Sequence, residues 1–375
     1  MSSADHLEQK LQRWVEATVI DGSTADRIRA FESSHESHKT RWPVVLAIVF
    51  GSIMVGAGIL LFVAAHWDDL SPAQRFLLVL MMIAGFHLAA GALMARLKVL
   101  GIALHAIGTV ALGAGIFLAG QIFNLQEHWP GGVLLWAIGA VLAWALLRDW
   151  VQATLAALLV PAWIAAEWSV RAEHFSGTQR TLVQFLTLLA ITYLSAHRGA
   201  GDSHFRRALA WVGGLALLPL CGVLAADHFE WRPMPSMSVT VRMVGVLIAF
   251  GLPLLAAWLL RGKAVVWNIG FAVWVFAMGV FDSREYFSSL AIYGVSALGA
   301  IGMVLWGVQE QRRERINLGI AGFAITIIAF YFSNVMDKLG RSASLVGFGL
   351  LFLLGGWKLE QLRRRLVART SGGAS

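Results

Sequence analysis

Apolar runs of about 18 to 23 residues recur along this 375-residue chain, each long enough to cross a hydrocarbon layer as a helix. Inside such a layer every backbone N–H and C=O must be satisfied within the protein, which makes the α-helix the natural spanning element for runs of this length. Charged residues are only 14% of the chain and mean hydropathy is +0.68, whereas a soluble domain carries about a quarter charged residues. The expected fold is all-α, a polytopic transmembrane bundle of about 12 spans. They are placed near 43–65, 72–95, 99–124, 131–147, 151–169, 181–196, 208–226, 243–260, 264–281, 289–308, 317–335 and 342–358. A cytosolic amphipathic helical hairpin at 1–42 precedes this domain (43–358), and a basic cytosolic tail at 359–375 follows it.

The net charge of +8 does not point to nucleic acid, because the basic residues sit in short connections between apolar runs. On strict alternation, 22 of the 30 Lys and Arg fall on the side that holds the N-terminus and 8 on the other. The positive-inside rule then sets N-terminus and C-terminus in the cytoplasm, as expected for a multi-pass protein of a bacterial inner membrane. The polar first 42 residues do not read as a secretory leader. The single Cys221 lies within an apolar run and offers no intrachain disulfide.

The N-terminal hairpin places Leu7, Leu11, Trp14 and Val15 on one helix face. Asp21-Gly22 breaks that helix, and Ser23-Thr24-Ala25-Asp26 reads as the capping-box start of a second carrying Ile28 and Phe31. Two such helices bury little by themselves, so they are expected to pack on the membrane domain or on another chain, a candidate protein partner alongside the lipid bilayer.

The stretch FVAAHWDDLSPAQR, residues 62 to 75, interrupts the apolar pattern. Ser71, Pro72 and Gln74 make a helix start, and Asp68 and Asp69 then sit where a helix N-terminus favours negative charge. Trp67 suits the membrane interface. The alternative is a ligand or proton site, in which His66, Asp68 and Asp69 share an outer face with Gln121, Asn124, Glu127 and His128. His87, near the middle of the second span, would join them as an intramembrane ionisable group. No HExxH or CxxC spacing is present, so no metal or cofactor is expected. His105 and Asn268 read as structural polar groups, and Glu167 as the ion-pair partner of Arg171 four residues on. Pro161, Pro219 and Pro253 fall inside spans and hint at kinks around a cavity.

A short repeat links the first and third spans: Gly56-Ala57-Gly58-Ile59 and Gly113-Ala114-Gly115-Ile116, each leading to a His-Trp pair. The segment GAGIFLAGQIFNL, then HWPGG and LLWAIGAVLAWALL, resembles the bacterial membrane family known as domain of unknown function 2157. Trp14-Val15-Glu16-Ala17, Ile20-Asp21 and Trp67 belong to the same likeness, as do Asn317-Leu318-Gly319-Ile320, Tyr331-Phe332 and Arg363-Arg364-Arg365. It is fullest over residues 7 to 150. Ser333 follows Tyr331-Phe332 where relatives often carry an acidic residue, a departure that leaves a role for a charge at that spot unsupported here. The resemblance implies the membrane fold and its topology and no mechanism.

Three functions fit. The first is a transporter- or carrier-like protein handling a small or amphipathic molecule, without catalysis. The second is an assembly subunit organising a membrane complex through its N-terminal hairpin. The third is a membrane-embedded transferase or hydrolase using the outer-face carboxylates. No phosphate-binding loop, nucleophile elbow or dinucleotide fingerprint occurs.

Overall fold

The computed structural model describes residues 3–36, 70–123, 128–199, 201–226, 235–280 and 286–335, with short pieces within 46–61 and 346–361. Among the described residues the fold is helical, with no strand. The chain divides into two compact units, Met1–Ser71 with Phe86–Ile107, and Pro72–Gly85 with Gly108–Ser375.

In the first unit, α1 (Ser3–Glu16) and α2 (Gly22–Glu36) form the N-terminal hairpin. The cap of α2 differs from the expected Ser23. Asp21 accepts from the Thr24 amide at 3.1 Å and from the Ser23 hydroxyl at 2.6 Å. A carboxylate one residue before the helix reaches the third amide of the first turn, so α2 starts at Gly22. Those bonds, from the Ser23 and then the Thr24 side chain and amide, lower the Asp21 carboxyl to about 2. Leu11 and Ala25 are buried, while Trp14, Val15, Val19 and Phe31 stay exposed.

The membrane-type helices follow: α3 (Pro72–Leu93), α4 (Lys98–Ile122), α5 (Trp129–Leu147), α6 (Trp150–Arg171), α7 (Thr178–Ser195) and α8 (His204–Ala226). The second half carries α9 (Val239–Val246), α10 (Leu252–Arg261), α11 (Val266–Met278), α12 (Tyr286–Gln309) and α13 (Arg313–Phe330). A π-helical turn, Leu247–Gly251, joins α9 to α10, and another, Tyr331–Val335, ends α13. Helix α3 begins at Pro72, as the Ser71-Pro72 start requires.

Eight stretches of the described residues are long and apolar enough to span a membrane, so the expected count of about 12 is not reached. The expected spans at 43–65 and 342–358 fall largely outside the described residues. Those at 243–260 and 264–281 lie in one 40-residue run, Val239–Met278. The chain turns within that run at Gly262, whose φ of +60° favours glycine. The span expected at 181–196 is α7, which is not among the eight.

Helix α7 is polar because it is central. It packs against α6, α8, α10 and α11, and Thr187, Thr192 and Ser195 are fully or almost fully buried. Each hydroxyl is satisfied: Thr187 donates to the Val183 carbonyl at 2.7 Å, Thr192 to that of Pro253 at 3.2 Å, Ser195 to that of Thr192 at 2.6 Å. A helix shielded from lipid can hold such groups: two of these hydroxyls turn back onto carbonyls of α7 itself, and a neighbouring helix supplies the third partner. Tyr193 shows the same logic. Pro161 has no N–H to give the carbonyl four residues before it, and the Tyr193 hydroxyl donates to that Ala157 carbonyl at 3.2 Å.

Small residues set the close approaches. In the second unit, Gly113 faces the Trp136 indole, whose N–H donates to the Thr109 carbonyl at 2.9 Å. That copy of the Gly-Ala-Gly-Ile repeat is a packing surface between α4 and α5.

Candidate functional site

The helical hairpin α12–α13 has two contrasting ends, and the site is built between them. Near its turn the helices touch backbone to backbone. A methyl group added to Gly319 would meet the Ala300 carbonyl at 2.7 Å, and one added to Gly307 would meet Ile316 at 2.8 Å. From the Gly319–Ala300 contact outward, and lined in part by those two residues, a cavity of about 510 Å³ opens, walled mainly by α8, α11, α12 and α13. That volume lies within the range of small-molecule sites, roughly 300–1,000 Å³.

The cavity wall is apolar on one side and hydroxyl-bearing on the other. Leu217 and Cys221 come from α8, Phe271 and Trp274 from α11, Met303 from α12 and Leu318 from α13. The Trp274 indole N–H is taken by the Val295 carbonyl at 2.7 Å, so this ring gives the cavity no donor. Hydroxyls come from Tyr293 and Ser296 on α12, Thr326 on α13 and Ser333 in the π-helical turn. Ser296 donates to Met278 Sδ at 3.6 Å and Thr326 to the Gly322 carbonyl at 2.9 Å, which leaves their oxygen lone pairs as acceptors. The Tyr293 ring packs edge-on against Phe330, centroids 5.5 Å apart, and its hydroxyl makes no hydrogen bond among the described residues.

Toward the hairpin turn the same helices are fastened by buried charge. The Arg315 guanidinium, wholly buried, lies 4.0 Å from the Trp306 ring centre, and that of Arg261 5.1 Å from it. Glu310 accepts from both arginines and from the Trp306 indole N–H at 2.7 Å. Arg315 also donates to the His197 carbonyl at 3.3 Å. Burial alone would raise the Glu310 carboxyl, but hydrogen bonds from Trp306 and Arg315, the Arg315 charge and the Arg261 bond outweigh it and hold the group below its usual range. Arg261 Nη1 and Arg315 Nε find no partner among the described residues, so two cations share one carboxylate.

Neighbouring basic residues close the ends of α7 and α10. Arg198 and Arg206 both donate to the Leu260 carbonyl, and Arg206 also to that of Ala196 at 3.1 Å. Cations there meet the negative end of the helix dipole. Asp202 organises the intervening loop, accepting from the Arg198 and Gly199 amides at 2.5 and 3.1 Å and pairing with His197 at 2.7 Å. Burial pushes the Asp202 carboxyl up, but those amides and the imidazole hold it below its usual range. The connections at 196–203, 262–265 and 310–312 therefore share one end of the bundle. Strict alternation of spans puts the same three on one side.

The candidates drawn from the sequence distribute differently. His66, Asp68, Asp69, Asn124 and Glu127 lie outside the described residues. Gln121 is exposed on α4. His128 meets Glu167 at 2.7 Å, and Glu167 also accepts from Arg171 at 2.5 Å, the ion pair expected from their spacing. In the first unit His87 is not solitary. Its Nδ1 lies 2.9 Å from Nδ1 of His105, a buried residue, so one ring donates and the other accepts.

What sequence reasoning missed is the fastening of Arg261, Glu310 and Arg315. Their charges read as orientation signals, and a usable cue was Trp306 four residues before Glu310, on the same helix face. The cavity has no sequence signal of this kind, because its lining holds no titratable pattern to notice.

No curated protein and no solved structure matches the chain. Residues 12–153, from the N-terminal hairpin to the start of α6, match the family described as "Predicted membrane protein (DUF2157)", which bears out the resemblance; the cavity and its fastening lie beyond that stretch.

Proposed function

We propose that this membrane protein is carrier-like and takes a small or amphipathic molecule into the cavity between α8, α11, α12 and α13. The observation that carries this reading is the cavity itself, a half-open cleft of about 510 Å³ set against the hydrophobic core of the second unit. The charged fastening around Glu310 would act as the closed end of the route. Two arginines on one carboxylate make a contact that changing charge at Glu310 can release. With the N-terminus inside, this end faces the cytoplasm of a bacterial cell, following the 22-to-8 distribution of Lys and Arg.

The test is mass spectrometry of the full chain extracted in native lipid discs, beside a Gly322→Leu variant. Gly322 lines the cavity, and its nearest neighbours, Leu218 and Ala300, are at ordinary contact distance for an added methyl. A stoichiometric small molecule present in the native chain and lost from the variant is expected. Equal co-purification in both overturns the reading.

A second reading, an assembly subunit, is favoured by the exposed Trp14, Val15, Val19 and Phe31 on the N-terminal hairpin. It expects a stoichiometric protein partner that disappears when residues 1–40 are deleted.

A further inference from the structure

We infer that the cavity takes an uncharged amphiphile with a hydroxyl or carboxamide head, held head-first at Tyr293 and Thr326. This rests on the carrier reading above and names the class of molecule for it. Three observations lead there.

The first is charge. Among the lining residues none is Asp, Glu, Lys, Arg or His. An ion moved from water into such a space finds no counter-charge, and an isolated charge in a low-dielectric site is far costlier than a dipole. The buried cations nearest the cavity are already committed, Arg261 and Arg315 to Glu310. Anionic and cationic amphiphiles are both disfavoured.

The second is polarity along the axis. Tyr293, Thr326 and Ser333 gather where α12 begins and α13 ends, whereas Phe271, Met303 and Leu318 line the part nearer the hairpin turn. Tyr293 and Met303 are ten residues apart on one helix, about 15 Å at 1.5 Å per residue. The space therefore suits a polar head at one end and an apolar body of roughly that length below it.

The third is the sense of the hydrogen bonds. Ser296 and Thr326 have used their hydrogens on Met278 Sδ and the Gly322 carbonyl, so toward a guest they accept. The Tyr293 hydroxyl makes no hydrogen bond among the described residues, so toward a guest it is the one hydroxyl of the three with its hydrogen still to give. A head that donates and accepts at once satisfies both, as an alcohol or primary amide does. An ether or ketone leaves the acceptors unused, and a hydrocarbon leaves all of them unused.

The native chain supplies a reporter, since its one cysteine, Cys221, lines the cavity. The experiment measures alkylation of Cys221 by N-phenylmaleimide in the full-length protein in lipid discs. The discs carry equal bilayer loads of 1-dodecanol, dodecane or dodecanoate. The expected result is several-fold slowing by 1-dodecanol, with the other two within about twofold of the untreated rate. The double variant Tyr293→Phe with Thr326→Val should bring dodecanol to the dodecane level. Equal protection by dodecane or dodecanoate overturns the head-group assignment and leaves the cavity reading standing. Failure of all three to protect overturns both.

Placement has an independent readout. A diazirine at the tail of dodecanol should cross-link to Phe271, Met303 or Leu318. Adducts confined to outward-facing residues such as Leu298 and Leu305 would place the alcohol in the surrounding lipid and overturn the inference.

Discussion

The two ends of the α12–α13 hairpin use the same pair of helices for opposite purposes. At the turn, glycines bring the backbones together and Trp306, Glu310, Arg261 and Arg315 lock α10, α12 and α13 to one another. At the far end, Tyr293, Ser296, Thr326 and Ser333 stand around open space. The difference is one of satisfaction. The turn end turns its charges on one another, with Arg261 Nη1 and Arg315 Nε left over among the described residues, and the far end keeps hydroxyl acceptors and a donor beside open space. A region of the first kind holds a fold together; one of the second kind accommodates a guest.

The comparison breaks most sharply at Arg315. Replacing it by Met removes one guanidinium from Glu310 and from the Trp306 face, and single-sided loss of a buried ion pair destabilises by about 3–5 kcal/mol. Thermal unfolding in detergent should show a large drop, or the protein should fail to accumulate. Adding Glu310→Met and Arg261→Met together to Arg315→Met should recover part of the loss, because no buried charge is then left facing a missing partner.

Gly319 and Gly322, nearly one turn apart on α13, sharpen it next. Leu at Gly319 meets the Ala300 carbonyl and should lower stability by about 1–3 kcal/mol through overpacking. Leu at Gly322 enters the cavity, should leave the unfolding midpoint nearly unchanged, and should expel the guest. Equal destabilisation at the two positions would mean that the cavity is not open space.

Smaller still is Tyr193→Phe, which strips the donor from the Ala157 carbonyl freed by Pro161. A loss of about 1 kcal/mol is expected, read as a lower unfolding midpoint with the helical content unchanged.

Acid should separate the ends as well. The Glu310 and Asp202 carboxyls are both held below their usual range in the folded protein. A depressed carboxyl contributes stability that is present above its unfolded value and lost as pH falls through the folded value. Unfolding midpoints should therefore fall below about pH 4, near the ordinary carboxylate range, and none of the residues that line the cavity is a carboxylate that would add to that loss. Glu310→Gln should flatten the profile. An unchanged profile would detach Glu310 from the fastening.

Much of the fold was legible in the residues. Run lengths marked the apolar helices, Ser71-Pro72 marked the start of α3, and the Glu167–Arg171 spacing gave a real ion pair. The number of spans was less legible. Length and hydropathy do not identify a helix like α7 as a span, because its polar residues lower its hydropathy and what shields them, including the Pro253 carbonyl that takes the Thr192 hydroxyl, is distant in sequence. The site was hardest to see. Intramembrane histidines and carboxylates attract notice because they are expensive there, yet His87 is matched by His105, and the cavity is lined by residues that look like ordinary membrane-helix composition. Arg261 and Arg315 looked like topology signals, since only the fold brings Glu310 between them.

The most direct test of the central claim is a cryo-electron microscopy map of the full-length protein in native lipid discs. The account predicts an elongated non-protein density between Leu217, Phe271 and Thr326, with its polar end at Tyr293 and the Glu310 fastening closed below it. An empty bundle with Thr326 packed against Ser296, so that the cavity is gone, would contradict it.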